Sequence, residues 1–377
     1  MIRNVKVLTA SSYVSMLFLG LSTTLVGAAA KNIGLSPYQI GLLVAAQNVG
    51  FVLSVSLCGA LADSYRKPRI LLVGSCVLTV GLGAFYLSGQ FWLYLWAMVA
   101  TGVGMGAYEG VTDAMLLEMH HRRESMHVLI NHLFASIGSV TITIYMIFLQ
   151  GNWRAALIEA AAAVGLLAVL FALTQLDRRP TSGESYRERV RLLAQQPVVI
   201  ILFACIILAV GAELATTSFL TTFLMDLRGF DQVTSKVGLV IFLAGMMTGR
   251  LLVGLMADNS QVLRTMTALF GVACVIFSLL FMVDLGALIY LLAYLAGVSL
   301  SATFPLMITL AGLKFKEVAG TVIGILKLAV PIGGTLTPAL MSQVSGTVSF
   351  QASLWILPLS FLIGFGLLLA GRRRLQL

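Results

Sequence analysis

Twelve stretches of this chain are long and apolar enough to cross a bilayer, and no other feature limits the fold so severely. They run near 7–30, 37–62, 69–88, 91–118, 125–149, 153–176, 197–225, 232–257, 262–282, 286–312, 318–342 and 350–371, divided by short Gly, Pro or charged punctuation. A spanning helix needs about 20 mostly apolar residues to match the hydrocarbon thickness. Every backbone polar group in lipid must be satisfied within the chain, so segments of this length must be helical. Charged residues make up 10% of the 377 residues, against about 25% in soluble domains. Mean hydropathy is +0.98. The expected fold is an all-α polytopic membrane protein with twelve transmembrane helices. The short basic start, Met1 to Lys6, leads straight into a run of spanning length and reads as a topology signal, not a cleavable leader.

The net charge of +9 would suggest nucleic acid in a soluble domain. Placement argues otherwise. With the N-terminus in the cytoplasm, eighteen Lys and Arg fall on that side, four on the other, and two, Arg250 and Lys327, within spans. Cytoplasmic loops carry such an excess as a rule, so the positive charge encodes topology. Both termini are expected inside, in a bacterial cytoplasmic (inner) membrane. The bilayer, a small solute and protons are the expected partners of a monomer, with no nucleic acid. Cys58, Cys76, Cys205 and Cys274 all lie in apolar runs without paired loop spacing, and read as small buried hydrophobes. No metal or cofactor is expected. No P-loop occurs, which points to an ion gradient as the driving force.

The longest polar segment, "DRRPTSGESYRERVRLLAQQP", separates six runs from six. It divides the chain into a bundle over 1–176, a linker over 177–196 and a second bundle over 197–377. Within the linker, "YRERVRLLAQ" is either a basic amphipathic helix on the anionic leaflet or a solvated connection. A shift of 195 residues lays Gly59, Leu61, Ala62 and Asp63 over Gly254, Met256, Ala257 and Asp258. The same shift lays Gly50 over Gly245, Gly102 over Gly297, His132 over Lys327 and Gly138 over Gly333. Two parallel six-helix repeats imply a pseudo-twofold axis along the membrane normal and a solute cavity on it.

A charge at bilayer depth costs at least about 2.5–3.5 kcal/mol, so it marks a partner or a hydrated cavity. Glu109 and Asp113 in "GAYEGVTDAMLLE" are four apart and share a helix face. Two carboxylates side by side in a low dielectric resist ionising together, which suits a proton carrier. The alternative is that Lys or Arg on another helix pairs with them and fixes packing. Glu118, four before Arg122, reads as an interfacial ion pair. Glu213 and Thr217 in the seventh run, with Thr24 in the first, are candidate solute ligands, as are His132 and Lys327. Lys327 equally suits permanent neutralisation of Glu213 or Asp113. Arg250 is long enough to reach the cytoplasmic surface and reads as structural or gating. Pro305, Pro331 and Pro338 loosen the tenth and eleventh runs.

"GALADSYRKPR" after the second run resembles the G-x-L-a-D-r-x-G-r-r loop of the major facilitator superfamily, with Gly59, Asp63, Lys67 and Arg69 matching and Arg66 standing in place of glycine. "GLMADNSQVLR" is a weaker second copy. The resemblance implies a gate in which the loop Asp caps a neighbouring helix and pairs with a cation. Asp63, Lys67 and Arg69 would form it, with Asp258 in the second copy and Arg250, upstream of that copy, as a further gating candidate. "YEGVTDAM" followed by "NHLFASIG" is similar to the fucose–galactose–proton symporter group. That narrower likeness places Glu109 on the coupling Glu, Asp113 on a solute-contacting Asn, and His132, Phe134, Ser136 and Gly138 on the second stretch; Asn131, just before it, is a further candidate solute ligand. The first run lacks the acidic residue of that group.

The expected function is secondary active transport of a small polar solute (sugar-like, organic anion or zwitterion), coupled to protons, by alternating access. A proton-driven exporter of amphipathic drugs or lipids is the alternative. A membrane enzyme would need a nucleophile or metal constellation at one depth, which the spacing does not supply; "HHRRE" (120–124) reads as an interfacial loop.

Overall fold

The computed structural model describes the chain except for residues 1–3, 34–36, 88, 149–151, 177–185, 257, 285 and 377. The first part of the linker, 177–185, therefore lies outside the described residues. Among the described residues the chain forms helices and no β-strand. Twelve of its helical segments are long and apolar enough to cross a membrane. The first six are α1 (Val5–Ile33), α2 (Pro37–Ser64), α3 (Lys67–Leu87), α4 (Phe91–Met119), α5 (Glu124–Phe148) and α6 (Trp153–Leu173). After the linker helix α7 (Tyr186–Ala194) come α8 (Pro197–Arg228), α9 (Gln232–Met256) and α10 (Val262–Met282).

The tenth and eleventh spans are each broken, and the prolines explain where. The tenth is α11 (Ile289–Ser301) then α12 (Thr303–Lys314); the eleventh is α13 (Ala319–Lys327) then α14 (Ala329–Thr347). A helical N–H bonds the carbonyl four residues earlier, and proline has none to give. Pro305 thus leaves the Ser301 carbonyl unclaimed by its helix, and Arg250 Nε donates to it at 3.2 Å. Pro331 likewise frees the Lys327 carbonyl, and the turn there tightens to a bond from Leu328 N to Ile325 O at 3.1 Å. The last span is α15 (Phe350–Ser353) and α16 (Ile356–Ala370), followed by α17 (Arg372–Leu375).

Two compact units emerge. One holds Met1–His121, Asn131–Arg191 and Phe315–Leu328; the other holds Arg122–Ile130, Leu192–Lys314 and Ala329–Leu377. In the first, Phe85 stacks on Tyr94 with centroids 4.4 Å apart and meets the edge of Trp153. In the second, Phe277 packs on Phe361 at 4.7 Å and Phe223 on Phe281 at 4.8 Å. Each unit also contains glycine-interlocked helix pairs, and one in each is related by the repeat. A Cβ at Gly102 of α4 would lie 2.0 Å from the Gln47 carbonyl O of α2, and one at Gly50 would lie 2.1 Å from the Val99 O. In the second unit, a Cβ at Gly297 of α11 would lie 2.1 Å from the Phe242 O of α9, and one at Gly245 would lie 2.1 Å from the Tyr294 O. All four residues and their four contacts map onto one another under the 195-residue shift, so the repeat is structural here as well as sequential.

Between apolar helices in lipid, association rests on close van der Waals contact, which small residues permit. Alanine at Gly102 or Gly297 is expected to force the pair apart and cost about 1–3 kcal/mol per site, the usual price of overpacking. The thermal midpoint of the purified protein in detergent should fall in both variants, and by similar amounts if the two interfaces are equivalent.

Candidate functional site

Three carboxylates lie on α4, and two are drawn into one buried cluster of the first unit. The Lys327 Nζ, at the end of α13, is 2.6 Å from Asp113 Oδ2 and 3.0 Å from Glu109 Oε1. It also donates to the Glu109 carbonyl O. These three acceptors employ all three protons of the ammonium. His132 Nε2 lies 3.0 Å from the same Asp113 oxygen. Asn131 Nδ2 donates to Asp113 Oδ1 at 2.8 Å and to Thr112 Oγ1 at 3.0 Å. The Asn131 Oδ1 is buried and accepts no hydrogen bond from the described residues. Lys327, Asp113 and Asn131 have no exposed surface, whereas Glu109 and His132 keep 7% and 5%.

Five residues singled out by sequence are thus in one place: Glu109, Asp113, Asn131, His132 and Lys327. Their arrangement changes how they are read. The two carboxylates do not simply face each other, because an ammonium sits between them. Lys327 is engaged by both acids, so it is not presented to an anionic solute. Asp113, with three polar partners and no exposure, anchors the cluster. Glu109, Asp113 and His132 each turn one atom able to bind a cation to within 4.8 Å of the others, and the Lys327 ammonium supplies positive charge there. Thr112 is a member that sequence reasoning misses; only its adjacency to Asp113 hints at it.

The other expected ligands are engaged differently. Glu213 Oε1 is 3.5 Å from Arg250 Nη2, within the second unit. Thr217 donates to the Leu214 carbonyl at 2.9 Å and Thr24 to the Gly20 carbonyl at 3.2 Å, each inside its own helix. Glu118 pairs with Lys67 at the start of α3, where the spacing suggests Arg122.

The loop acid Asp63 caps α13. Its Oδ1 accepts from Gly320 N at 2.8 Å, and its Oδ2 accepts from Thr321 N at 2.8 Å and Thr321 Oγ1 at 2.5 Å. Its cation is Arg189 of the linker helix, with Nη1 at 3.7 Å, while Arg189 Nη2 donates to Ser64 Oγ at 2.9 Å. That linker cation is therefore turned into the protein instead of towards a lipid surface or bulk water. Lys67 is given over to Glu118, and Arg69 is exposed. In the second copy the capping acceptor is one residue further on than expected. Asp258 is exposed and accepts from Ser260 Oγ at 2.8 Å and Ser260 N at 3.2 Å. Those hydrogen bonds, the hydroxyl's first, hold its carboxyl below the usual range. Asn259 instead accepts from Ser125 N at 3.3 Å and Ser125 Oγ at 2.8 Å at the start of α5, and donates to Glu124. Ser125 is the repeat counterpart of Gly320, so the second cap mirrors the first with an amide in place of the acid.

The Major Facilitator Superfamily model matches residues 8–338. The chain belongs to that superfamily. This major facilitator protein is accordingly a multi-pass integral membrane protein. It is 23% identical over 252 residues to a putative metabolite transport protein of Haemophilus influenzae, a match covering 62% of each chain. It is 25% identical over 89 residues to a D-xylose transporter of Levilactobacillus brevis, covering 24% of this chain and 20% of that one. The matches thus span less than two thirds of these curated relatives. Among solved structures, the fucose:proton symporter of E. coli superposes with a TM-score of 0.83 at 15% identity, covering 98% of this chain and 99% of that one. A human organic anion transporter superposes at 0.80 and 15% identity, covering 97% and 100%. At such identities the likeness is one of fold.

Proposed function

We propose that this protein is a secondary transporter that carries a small polar solute together with a proton, and that Glu109 is the proton carrier. One observation supports this above all: the buried cluster holds two carboxylates and one ammonium. With both acids ionised and His132 neutral, it has one negative charge too many for a low-dielectric site. A single proton restores balance. Glu109 is the carboxylate with residual exposure, and protonation weakens only its pair with Lys327. Asp113, fixed by Lys327, His132 and Asn131, holds the framework meanwhile.

The cluster is placed to convert protonation into movement. Lys327 ends α13, and Leu328 closes that segment of the first unit before the chain continues as α14 in the second. When Glu109 is ionised it helps hold α13; when it is neutral that hold slackens at the break set by Pro331. Asp63 and Asn259, capping α13 and α5, are the proposed gating contacts, with Arg189 as the counter-ion of the first. The open acceptor of Asn131 suits a solute hydroxyl or amine. The Glu213–Arg250 pair is proposed as a second-unit contact that opens when solute binds. The resemblance to sugar symporters favours a hydroxyl-rich solute, and the proposed location is a bacterial inner membrane with both termini in the cytoplasm.

The test is a thermal-shift screen of the purified protein against sugars, amino acids and carboxylates, followed by uptake of the stabilising compounds into liposomes with an imposed pH difference. Accumulation that follows the pH difference supports the proposal. Uptake that ignores pH, or no flux of any stabilising compound, refutes it.

A further inference from the structure

A cavity of about 860 Å³ lies in the second unit, where α10 begins and α16 ends. Asn259 and Ser260, described above, lie at one edge of it, and it is separate from the buried Glu109–Asp113–Lys327 cluster. Its rim is polar and basic, carrying Gln261, Arg264, Thr267 and Arg372, while Phe365 and Leu369 continue its wall. Among the described residues no carboxylate lines it. Both arginines are exposed, and neither guanidinium has a hydrogen-bond or ion-pair partner among the described residues. Arg373 and Arg374 follow directly in the same turn of α17 and are exposed as well.

We propose that this cavity is a binding site for one anionic phospholipid, with the phosphate between Arg264 and Arg372 and the start of an acyl chain against Phe365 and Leu369. Charge complementarity selects an anion. The apolar wall selects an anion with a hydrocarbon attached, which a free phosphate lacks. Basic pockets between spanning helices take anionic headgroups on this principle, and a planar guanidinium fork fits a phosphate by two parallel hydrogen bonds. The repeat counterpart of Arg264 is Arg69, which lines a cavity of only about 170 Å³. The lipid site is therefore assigned to the second unit alone.

Native mass spectrometry of the full chain in mild detergent tests the site. The probes are phosphatidylglycerol, phosphatidylcholine of the same acyl chains, and inorganic phosphate. Phosphatidylglycerol should be retained at about tenfold lower concentration than phosphatidylcholine, and phosphate should neither bind nor displace it. The double variant R264Q/R372Q should reduce phosphatidylglycerol retention to the phosphatidylcholine level. T267W, which fills the cavity without changing charge, should do the same. Equal retention of the two lipids by the wild type overturns the proposal. So does wild-type retention in either variant, or displacement of the lipid by phosphate. The double variant alters exposed side chains only, so it remains informative even if T267W fails to fold.

Discussion

Exchanging Lys327 for methionine is expected to destabilise the protein by about 3–5 kcal/mol and to abolish transport. The reason is asymmetry. A buried ion pair gains little over a well-packed apolar pair, but removing one member leaves a desolvated charge without compensation. Here one ammonium serves two acids, at 2.6 Å and 3.0 Å, so both lose their partner at once. Adding Asp113→Asn to K327M removes the most deeply buried charge and should return much of the lost stability, because residues in one network do not act additively. Unfolding midpoints of the wild type, both single variants and the double variant give the coupling directly. A K327M protein as stable as the wild type would mean that the ammonium is not what neutralises the cluster.

Glu109→Gln is expected to eliminate gradient-driven accumulation while leaving exchange intact. The amide keeps an oxygen to accept from Lys327 and cannot take up a proton. One proton moving down a difference of one pH unit provides about 1.4 kcal/mol, enough for roughly tenfold accumulation of a co-transported solute. Wild-type liposomes should approach that ratio, and E109Q liposomes should stop at equal concentrations inside and out. Counterflow, in which labelled solute exchanges for unlabelled, needs no net proton movement and should continue. Undiminished accumulation in E109Q transfers the proton to another group.

The membrane fold was legible because its signal is local. Twelve apolar runs announce themselves by length, and the Phe91–Met119 helix ends within one residue of the run read from sequence. The broken spans were half legible: Pro305 and Pro331 mark loosened helices, and counting back four residues finds the freed carbonyls. That Arg250 would claim one of them requires a neighbouring helix, which no sequence window contains. The cluster shows the same division. The spacing of Glu109 and Asp113 places them on one face, and the 195-residue shift pairs His132 with Lys327. Whether Lys327 would neutralise Asp113 or Glu213 depends on which helices meet. The second cap was misplaced by one residue because alignment favours the identical Asp258, whereas the turn after α9 directs Asn259 to α5. Arg189 escaped notice because a linker arginine looks like any solvated cation until the helix that carries it is docked.

Counting protons tests the central claim most directly. In weakly buffered detergent solution with a pH-sensitive dye, wild-type protein titrated with the solute from the stability screen should take up protons across part of the pH range, approaching one per solute bound. E109Q should bind the solute with no such uptake. Wild-type binding without any proton change at every pH, or the same uptake by E109Q, would contradict the assignment of Glu109 as the carrier.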